Sequence, residues 1–555
     1  MNRLRSAILF AVLAFTISAA SFSASVLLDE GLAKNSMTYL DEARAIRGDF
    51  PLNRRATPSF HPLYSVLTAA AWVPGRSWEM TGRLVSVLCA ALIVAVPATW
   101  VRSIAGTPAG WATAIFAITN VMVFGYAGSV TAESLGLLLS AAGIALVWSA
   151  GLRASWKLAA LAGLAAGLFA LARTEGVGFM GYILPPLAVL TWRTSHRLRP
   201  VIVNVAACIA VSLACLVPYI VHLREFNDRI SIYPDVKYFA AASALRRLPD
   251  RLWGEIDALP AGTPTTSEYV GIRKIEGIGS KTTYVVREYA EFLHLIDRRL
   301  LSSMLGVLPI MLVALCLLPP GSSEGPRSSG LVTYLIYLCF FTLVFGGLVV
   351  AAFDLEKDAR RLLYLLPPAL MLAGIGAARA SEVLAEHART WPARVPKPSA
   401  GTFLALILAA HVLIATPALY WHFRALGEEN ATWAVLRRTG AFIRQQAGDR
   451  PPVVASDDLN IAWVADGWYV PIASAGADQA VAVARRYGAE YFAVQGTGVV
   501  SRRPGMEALL TRHDVPDGLA FLREFGDSTG FHVVVYRVLP EPPAAASAAG
   551  HAAVP

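Results

Sequence analysis

Residues 84–101 read LVSVLCAALIVAVPATWV, an apolar run that carries no charge until Arg102 closes it. A helix needs about 20 such residues to cross the hydrocarbon of a bilayer. Comparable uncharged runs recur along the chain at 6–28, 111–128, 134–152, 158–172, 177–192, 200–222, 302–320, 330–353, 362–378 and 401–421. They predict a multi-pass α-helical membrane protein of about 11 spans. The composition agrees, because 55% of the 555 residues are apolar and only 16% are charged, where a soluble chain carries about 25%. A mean hydropathy of +0.51 is more than one anchor could give. Secreted enzymes, cytosolic enzymes and nucleic-acid binders are excluded, so no nucleic-acid partner is expected. The five cysteines (Cys89, Cys208, Cys215, Cys316, Cys339) all fall in apolar stretches without a nearby His at ligand spacing. Neither disulfides nor structural zinc is expected.

The net charge of +9 has its origin in topology. With the N-terminus in the cytoplasm, alternate connections carry Arg3 and Arg5, Arg102, Arg153 and Lys157, Arg193, Arg197 and Arg199, Arg327, then Arg379, Arg389, Arg394 and Lys397. That bias follows the positive-inside rule. The other face receives Asp29, Glu30, Asp41, Glu42, Asp49, Glu79, Glu133, Glu175, Asp354, Glu356 and Asp358. The first segment also has the charge and small residues of a signal peptide, and cleaved or intact it delivers residue 29 to the outside. Two long outer loops are expected, at 29–83 and 223–301, with the apolar stretch Leu63–Val73 lying along the interface and a helix at 281–299. The membrane domain thus occupies 1–421. Residues 425–540 read as a soluble extracytoplasmic α/β domain, with helices at 432–446 and 477–487 and strands at 452–455, 491–495 and 532–537. The Ala- and Pro-rich tail, 541–555, is expected to be disordered.

Short polar words interrupt the apolar sequence at the outer ends of several spans: Asn35-Ser36-Met37-Thr38-Tyr39-Leu40, Phe60-His61-Pro62-Leu63-Tyr64, Thr131-Ala132-Glu133-Ser134, Arg173-Thr174-Glu175-Gly176 and Arg360-Arg361-Leu362-Leu363-Tyr364. Ionisable groups are costly beside hydrocarbon, so function is their default explanation. In this order, on one face, the words resemble the GT-C superfamily of membrane glycosyltransferases, specifically the bacterial branch of protein O-mannosyltransferases and aminoarabinose transferases. The likeness covers about residues 6–380 and implies a GT-C type fold in the bacterial cytoplasmic (inner) membrane. It also implies transfer of a hexosyl or pentosyl group from a polyprenyl-phosphate-linked donor to an envelope glycan, lipid or protein. Membrane lipid is a partner in that reading.

The chemistry needs a carboxylate to take the acceptor's proton and cations to stabilise the phosphate that leaves. Glu133, Asp41, Glu42 and Asp29 are the candidate bases, Glu133 first. Asn35 stands where the family carries its first-loop acid, and an amide cannot serve as that base. Arg173, Arg360 and Arg361 fit the cationic task, because guanidinium matches phosphate oxygens. Tyr39, His61, Tyr64, Glu175 and Tyr364 complete the substrate-binding candidates, with a salt bridge to Arg173 the preferred role of Glu175. No metal and no cofactor are expected. Asp457-Asp458 reads as a turn rather than a metal pair. Two other classes stay open: a lipid or glycan transporter, whose polar groups usually sit near the midplane of repeated halves, and a catalytically inactive GT-C-like scaffold.

Overall fold

The computed structural model describes residues 2–29, 31–32, 36–48, 61–173, 175–224, 307–319, 327–352, 364–457, 459–471, 477–496, 506–512, 515–528 and 530–540. Asn35, Arg360, Arg361, the predicted helix 281–299 and the tail 541–555 lie outside these residues. Among the described residues the chain divides into two units, the second beginning at residue 428.

The described part of the first unit is helical: α1 (Asn2–Leu28), α2 (Ser36–Arg47), α3 (Leu63–Ala71), α4 (Trp78–Ile118), α5 (Val121–Gly128), α6 (Glu133–Arg153), α7 (Trp156–Ala172), α8 (Glu175–Ser195), α9 (Leu198–Arg224), α10 (Val307–Leu315), α11 (Ser328–Ala352), α12 (Leu366–Arg389) and α13 (Ala400–Ala447). Among the described residues six helices are long and apolar enough to cross a membrane: Leu4–Leu28, Trp78–Ile118, Glu133–Arg153, Leu198–Arg224, Leu366–Arg389 and Ala400–Ala447. α4 is itself a hairpin, because Gly106 takes φ 90° and ψ 166°, a conformation that residues with a Cβ rarely adopt. The chain folds back there, so that Ile93 and Pro97 meet Thr113 and Ala117 across a shared cleft. The expected spans 84–101 and 111–128 are the two arms of this hairpin. The second arm breaks again at Asn120, whose side-chain oxygen accepts the Met122 and Val123 N–H groups and caps α5.

Close helix contact is achieved with small residues. Gly163 of α7 faces α9 so closely that an added Cβ would lie 2.2 Å from the Cys208 carbonyl oxygen. The Ser212 hydroxyl donates to the Gly163 carbonyl at 2.9 Å across the same seam. Small residues of this kind let backbones approach where the surrounding lipid is as apolar as the side chains. On α12, buried Arg379 donates to the Cys316 and Leu318 carbonyls just beyond α10. A cation at a helix C-terminus is favourably placed. α12 contributes to both large apolar cores of this unit, one built with α1, α4 and α5 (Phe10, Phe22, Phe116, Leu370) and one with α6 to α9 and α11 (Trp148, Phe169, Ile183, Met371).

One boundary differs from expectation. The last span was expected to end at 421 and a separate helix to start at 432, but α13 runs unbroken over 48 residues. The sequence between, His422 to Ala431, holds one Gly and no Pro, and neither polarity nor charge stops a helix. From residue 428 α13 belongs to the second unit.

That unit continues with β1 (Val453–Ser456), α14 (Leu459–Val464), β2 (Trp468–Pro471), α15 (Ala477–Arg486), β3 (Tyr491–Gln495), α16 (Glu507–Thr511), β4 (Leu519–Gly526) and β5 (His532–Val538). The strands form one sheet in the order β2-β1-β3-β5-β4, parallel through β2, β1 and β3 and antiparallel at β5 and β4. The expected strands near 452, 491 and 532 are β1, β3 and β5. β2 and β4 were not foreseen. β2 is four residues ending in Pro, and β4 is an edge strand with Arg523 and Glu524 inside it, so neither gives a clean apolar run.

The α7–α9 seam yields a test. Gly163→Ala forces backbone apart and is expected to lower the apparent melting temperature of the detergent-purified protein, with a loss of about 1–3 kcal/mol. Gly181→Ala, where a Cβ meets no atom within 4 Å, should leave it unchanged.

Candidate active site

Several of the polar words meet at one end of the helical bundle, held by two buried arginines. Arg83, one turn into α4 and 2% exposed, donates through Nη1 to the Gly128 carbonyl that ends α5 (3.0 Å). The same nitrogen lies 3.3 Å from Asp29 Oδ2. Its Nη2 reaches Glu79 Oε1 at 3.0 Å and the Gly31 carbonyl. The second Asp29 oxygen accepts the Gly31 N–H at 2.9 Å. Burial pushes the Asp29 carboxyl above the usual carboxylate range, and the Arg83 cation opposes that rise. The start of the first loop is thereby tied to the α4 and α5 ends.

Arg173 makes the second knot. α7 stops at Ala172 because Arg173 is extended (φ −152°, ψ 149°), and α8 starts at Glu175. The guanidinium forms a bidentate fork with Glu175, Nε to Oε2 at 3.1 Å and Nη2 to Oε1 at 3.0 Å. Its remaining nitrogen, Nη1, lies 2.6 Å from Glu133 Oε1. Glu133 and Glu175 each occupy the first turn of a helix, where backbone N–H groups favour an anion. Burial disfavours the Arg173 cation, but the two carboxylates outweigh it and hold the group charged.

α2 and α3 bring the first-loop residues to the same place. The Tyr39 and Tyr64 rings meet edge to face with centroids 5.1 Å apart. Tyr64 Oη donates to the Gly82 carbonyl at 2.8 Å and pairs with Ser86 Oγ at 2.8 Å. The Ser65 hydroxyl donates to Glu42 Oε2 at 2.6 Å. Burial pushes the Tyr39 hydroxyl well above its usual range; nearby Glu133 and Glu42 add to this and Arg173 opposes it. His61 is 5% exposed and packs against the Tyr219 ring at 5.6 Å. Burial pushes its imidazole down to about 4, with Glu175 opposing and Arg173 adding to the fall. Tyr364 stacks on Tyr182 at 5.6 Å and interacts electrostatically with the Glu175 carboxylate.

Thus Tyr39, Glu42, His61, Tyr64, Glu133, Arg173, Glu175 and Tyr364 share one neighbourhood. Asp41 is buried on α2 beside Glu42, and Asp29 belongs to the Arg83 knot. The salt bridge expected between Arg173 and Glu175 is present, with Glu133 as a third member. Arg83, Ser65, Ser86 and Tyr219 were not singled out from sequence. Arg83 stands where a headgroup anchor would, and its buried partners distant in sequence, Asp29 and the Gly31 and Gly128 carbonyls, separate the two roles. The five cysteines are free. Among the described residues no three His, Cys, Asp or Glu side chains are grouped as a metal would require.

The sequence matches no protein-family model and no curated protein. Solved structures do match. The apo form of ArnT from Cupriavidus metallidurans has TM-score 0.54 at 13% identity, covering 96% of this chain and 98% of that one. The same protein bound to undecaprenyl phosphate has TM-score 0.51 at 12% identity, covering 94% and 97%. The Archaeoglobus fulgidus oligosaccharyltransferase in complex with zinc and sulfate has TM-score 0.51 at 11% identity, covering 94% and 72%. The chain has the GT-C fold. Within that fold the clustered polar residues occupy the ends of α4, α6, α7 and α8 and the helices of the first loop.

His61 provides a pH test of this cluster. Its pKa is lower in the folded protein than in the unfolded chain, so its contribution to stability is complete above pH 6.5. That contribution is lost as the pH falls toward 4. At pH 5 the loss reaches about 2 kcal/mol. Chemical denaturation at pH 7 and pH 5 should show this loss in the wild type, and His61→Gln should remove that share of it.

Proposed function

We propose that this GT-C protein is a glycosyltransferase that moves a sugar from a polyprenyl phosphate to an extracytoplasmic glycan, lipid or protein acceptor. The observation that carries the proposal is the meeting of Glu133, Arg173 and Glu175 with Tyr39, Glu42 and Tyr64 at one end of the bundle. Undecaprenyl phosphate in the ArnT structure supports the same class of donor lipid here. In the reaction the acceptor hydroxyl oxygen bonds to the sugar's anomeric carbon and the bond from that carbon to the phosphate oxygen breaks. The acceptor's proton passes to a carboxylate, and polyprenyl phosphate departs with the bonding electrons.

Glu133 is the preferred base, because the Arg173 contact fixes it through Oε1. Glu42, oriented by Ser65, is second. Both Asp29 oxygens are engaged by Arg83 and Gly31, which suits a brace better than proton transfer. Arg173 has Nε and both terminal nitrogens committed to carboxylates, so we assign it positioning of Glu133. Stabilising the departing phosphate then falls to Arg360 and Arg361. The reaction is proposed to need no metal. An inactive scaffold is the second reading, favoured by the amide of Asn35 at the family's acid position.

With the full chain in nanodiscs and a glycosyl polyprenyl phosphate, Glu133→Gln should lower transfer by at least about a hundredfold, the scale of a lost acid–base group. It should leave lipid binding intact. Arg360→Ala or Arg361→Ala should slow transfer by roughly a hundred- to a thousandfold, the scale of losing one electrostatic donor, and a chelator should change nothing. Near-normal turnover in Glu133→Gln together with Glu42→Gln would reject this assignment of the base. Topology is tested separately: a reporter active only in the cytoplasm, fused after residue 425, should stay silent, since the second unit is proposed to lie outside the inner membrane and the N-terminus inside.

A further inference from the structure

Helical Ser and Thr in this protein usually return their hydroxyl to a carbonyl three or four residues earlier, as Ser18 does to Ala14, Thr113 to Ala109 and Ser140 to Leu137. Thr68 on α3 does not, and Ser36, the first residue of α2, and Thr131, in the bend before α6, also lack a partner. Their hydroxyl oxygens are buried and have no hydrogen-bond partner among the described residues, although the residues are 0%, 0% and 6% exposed. Thr68 has the Tyr64 carbonyl available one turn back on α3 and leaves it unused. A buried hydroxyl without a partner is destabilising, and native proteins leave few of them.

All three border the Tyr39–Tyr64 contact. Ser36 lies one turn before Tyr39 on α2, and Thr68 one turn after Tyr64 on α3. Thr131 precedes Glu133 by two residues, and its carbonyl is 3.5 Å from Ser86 Oγ, which also pairs with Tyr64 Oη. Its neighbour Val130 and Tyr39's neighbour Leu40 both close on Gly82. The surrounding charged groups include Glu42, Glu133 and Glu175 and, as the cation in this cluster, Arg173, already paired with two of them. Among the described residues this is a net acidic setting. It suits a neutral group with several hydroxyls, each able to donate to a carboxylate and to exchange hydrogen bonds with Ser and Thr oxygens.

We infer that Ser36, Thr68 and Thr131 hydrogen-bond the hydroxyls of the donor's glycosyl group and so read the sugar rather than the lipid phosphate. The inference deepens the glycosyl-transfer proposal and rests on it. The test uses the full chain in nanodiscs, with thermal shift and binding measured for undecaprenyl phosphate alone and for polyprenyl phosphates carrying a pentose, a hexose or an amino sugar. In Ser36→Ala, Thr68→Val and Thr131→Val the ligand-free melting temperature should hold or rise, because an unsatisfied polar group is removed. Affinity for undecaprenyl phosphate should not change. Affinity for the preferred sugar-bearing lipid should fall roughly two- to tenfold per hydroxyl. A ligand-free melting temperature that drops in all three variants would mean that internal water satisfies these hydroxyls for the fold's sake, and overturns the inference. So does a wild type that prefers a sugar-bearing lipid while the combined variant keeps the same preference. A wild type that responds to none of the lipids overturns the glycosyl-transfer proposal, and the inference with it.

Discussion

One guanidinium shared between two carboxylates governs the arrangement of this site. Arg173 sits where three helix ends must be near each other: α7 behind it, α8 ahead of it and α6 across from it. A buried ion pair is favourable only when its geometry is good and its remaining hydrogen-bonding capacity is filled, since desolvation is expensive. Arg173 meets that requirement with a bidentate fork on one side and an end-on contact on the other. Removing Arg173 would strand two carboxylates in a poorly solvated place, whereas removing one carboxylate leaves the arginine paired with the other. The extended backbone at Arg173, which ends α7 after only 17 residues, is therefore a requirement of the pairing.

Arg83 repeats the device for the neighbouring helices, joining two carboxylates and two helix- or loop-end carbonyls. Both knots carry more negative than positive charge, and Glu42 with its Ser65 partner adds to the excess. The result is a rigid acidic floor under Tyr39 and Tyr64. Preorganised charge of this kind suits a reaction that moves a proton onto a carboxylate and benefits from groups that need no rearrangement.

Much of this was legible in the sequence, for identifiable reasons. Spans announce themselves by uncharged length, and the acids between them stand out against such a background. The pairing of Arg173 with Glu175 could be read because a single residue, Thr174, separates them. The partnership with Glu133 could not, because Glu133 stands forty positions before Arg173 and only the packing of α6 on α7 brings them together. Arg83 escaped for the same reason: its partners include backbone carbonyls, which have no sequence signature. Gly106 is one of 43 glycines, but it falls in the connection expected between the spans 84–101 and 111–128, so the reversal there was legible and only the residue that makes it was not. The continuity of α13 was missed because a polar stretch was taken as a stop signal, whereas helix propensity is indifferent to the change from lipid-facing to water-facing residues.

The placement of charge also discriminates between classes of membrane protein. A transporter must expose its polar site to each side in turn, so its ionisable groups sit near the midplane on helices that move against one another. Here the carboxylates paired with the two arginines, Asp29, Glu79, Glu133 and Glu175, sit at helix termini, and each arginine ties the ends of at least two helices together. Any rocking of α6 against α7, or of α1 against α4, would have to pull a buried guanidinium from its carboxylates. Breaking such contacts in every cycle would oppose the motion that transport requires. The same contacts favour a fixed centre over a moving one. The two buried arginines therefore support transfer chemistry twice over, by concentrating carboxylates at one end of the bundle and by locking the helices that carry them.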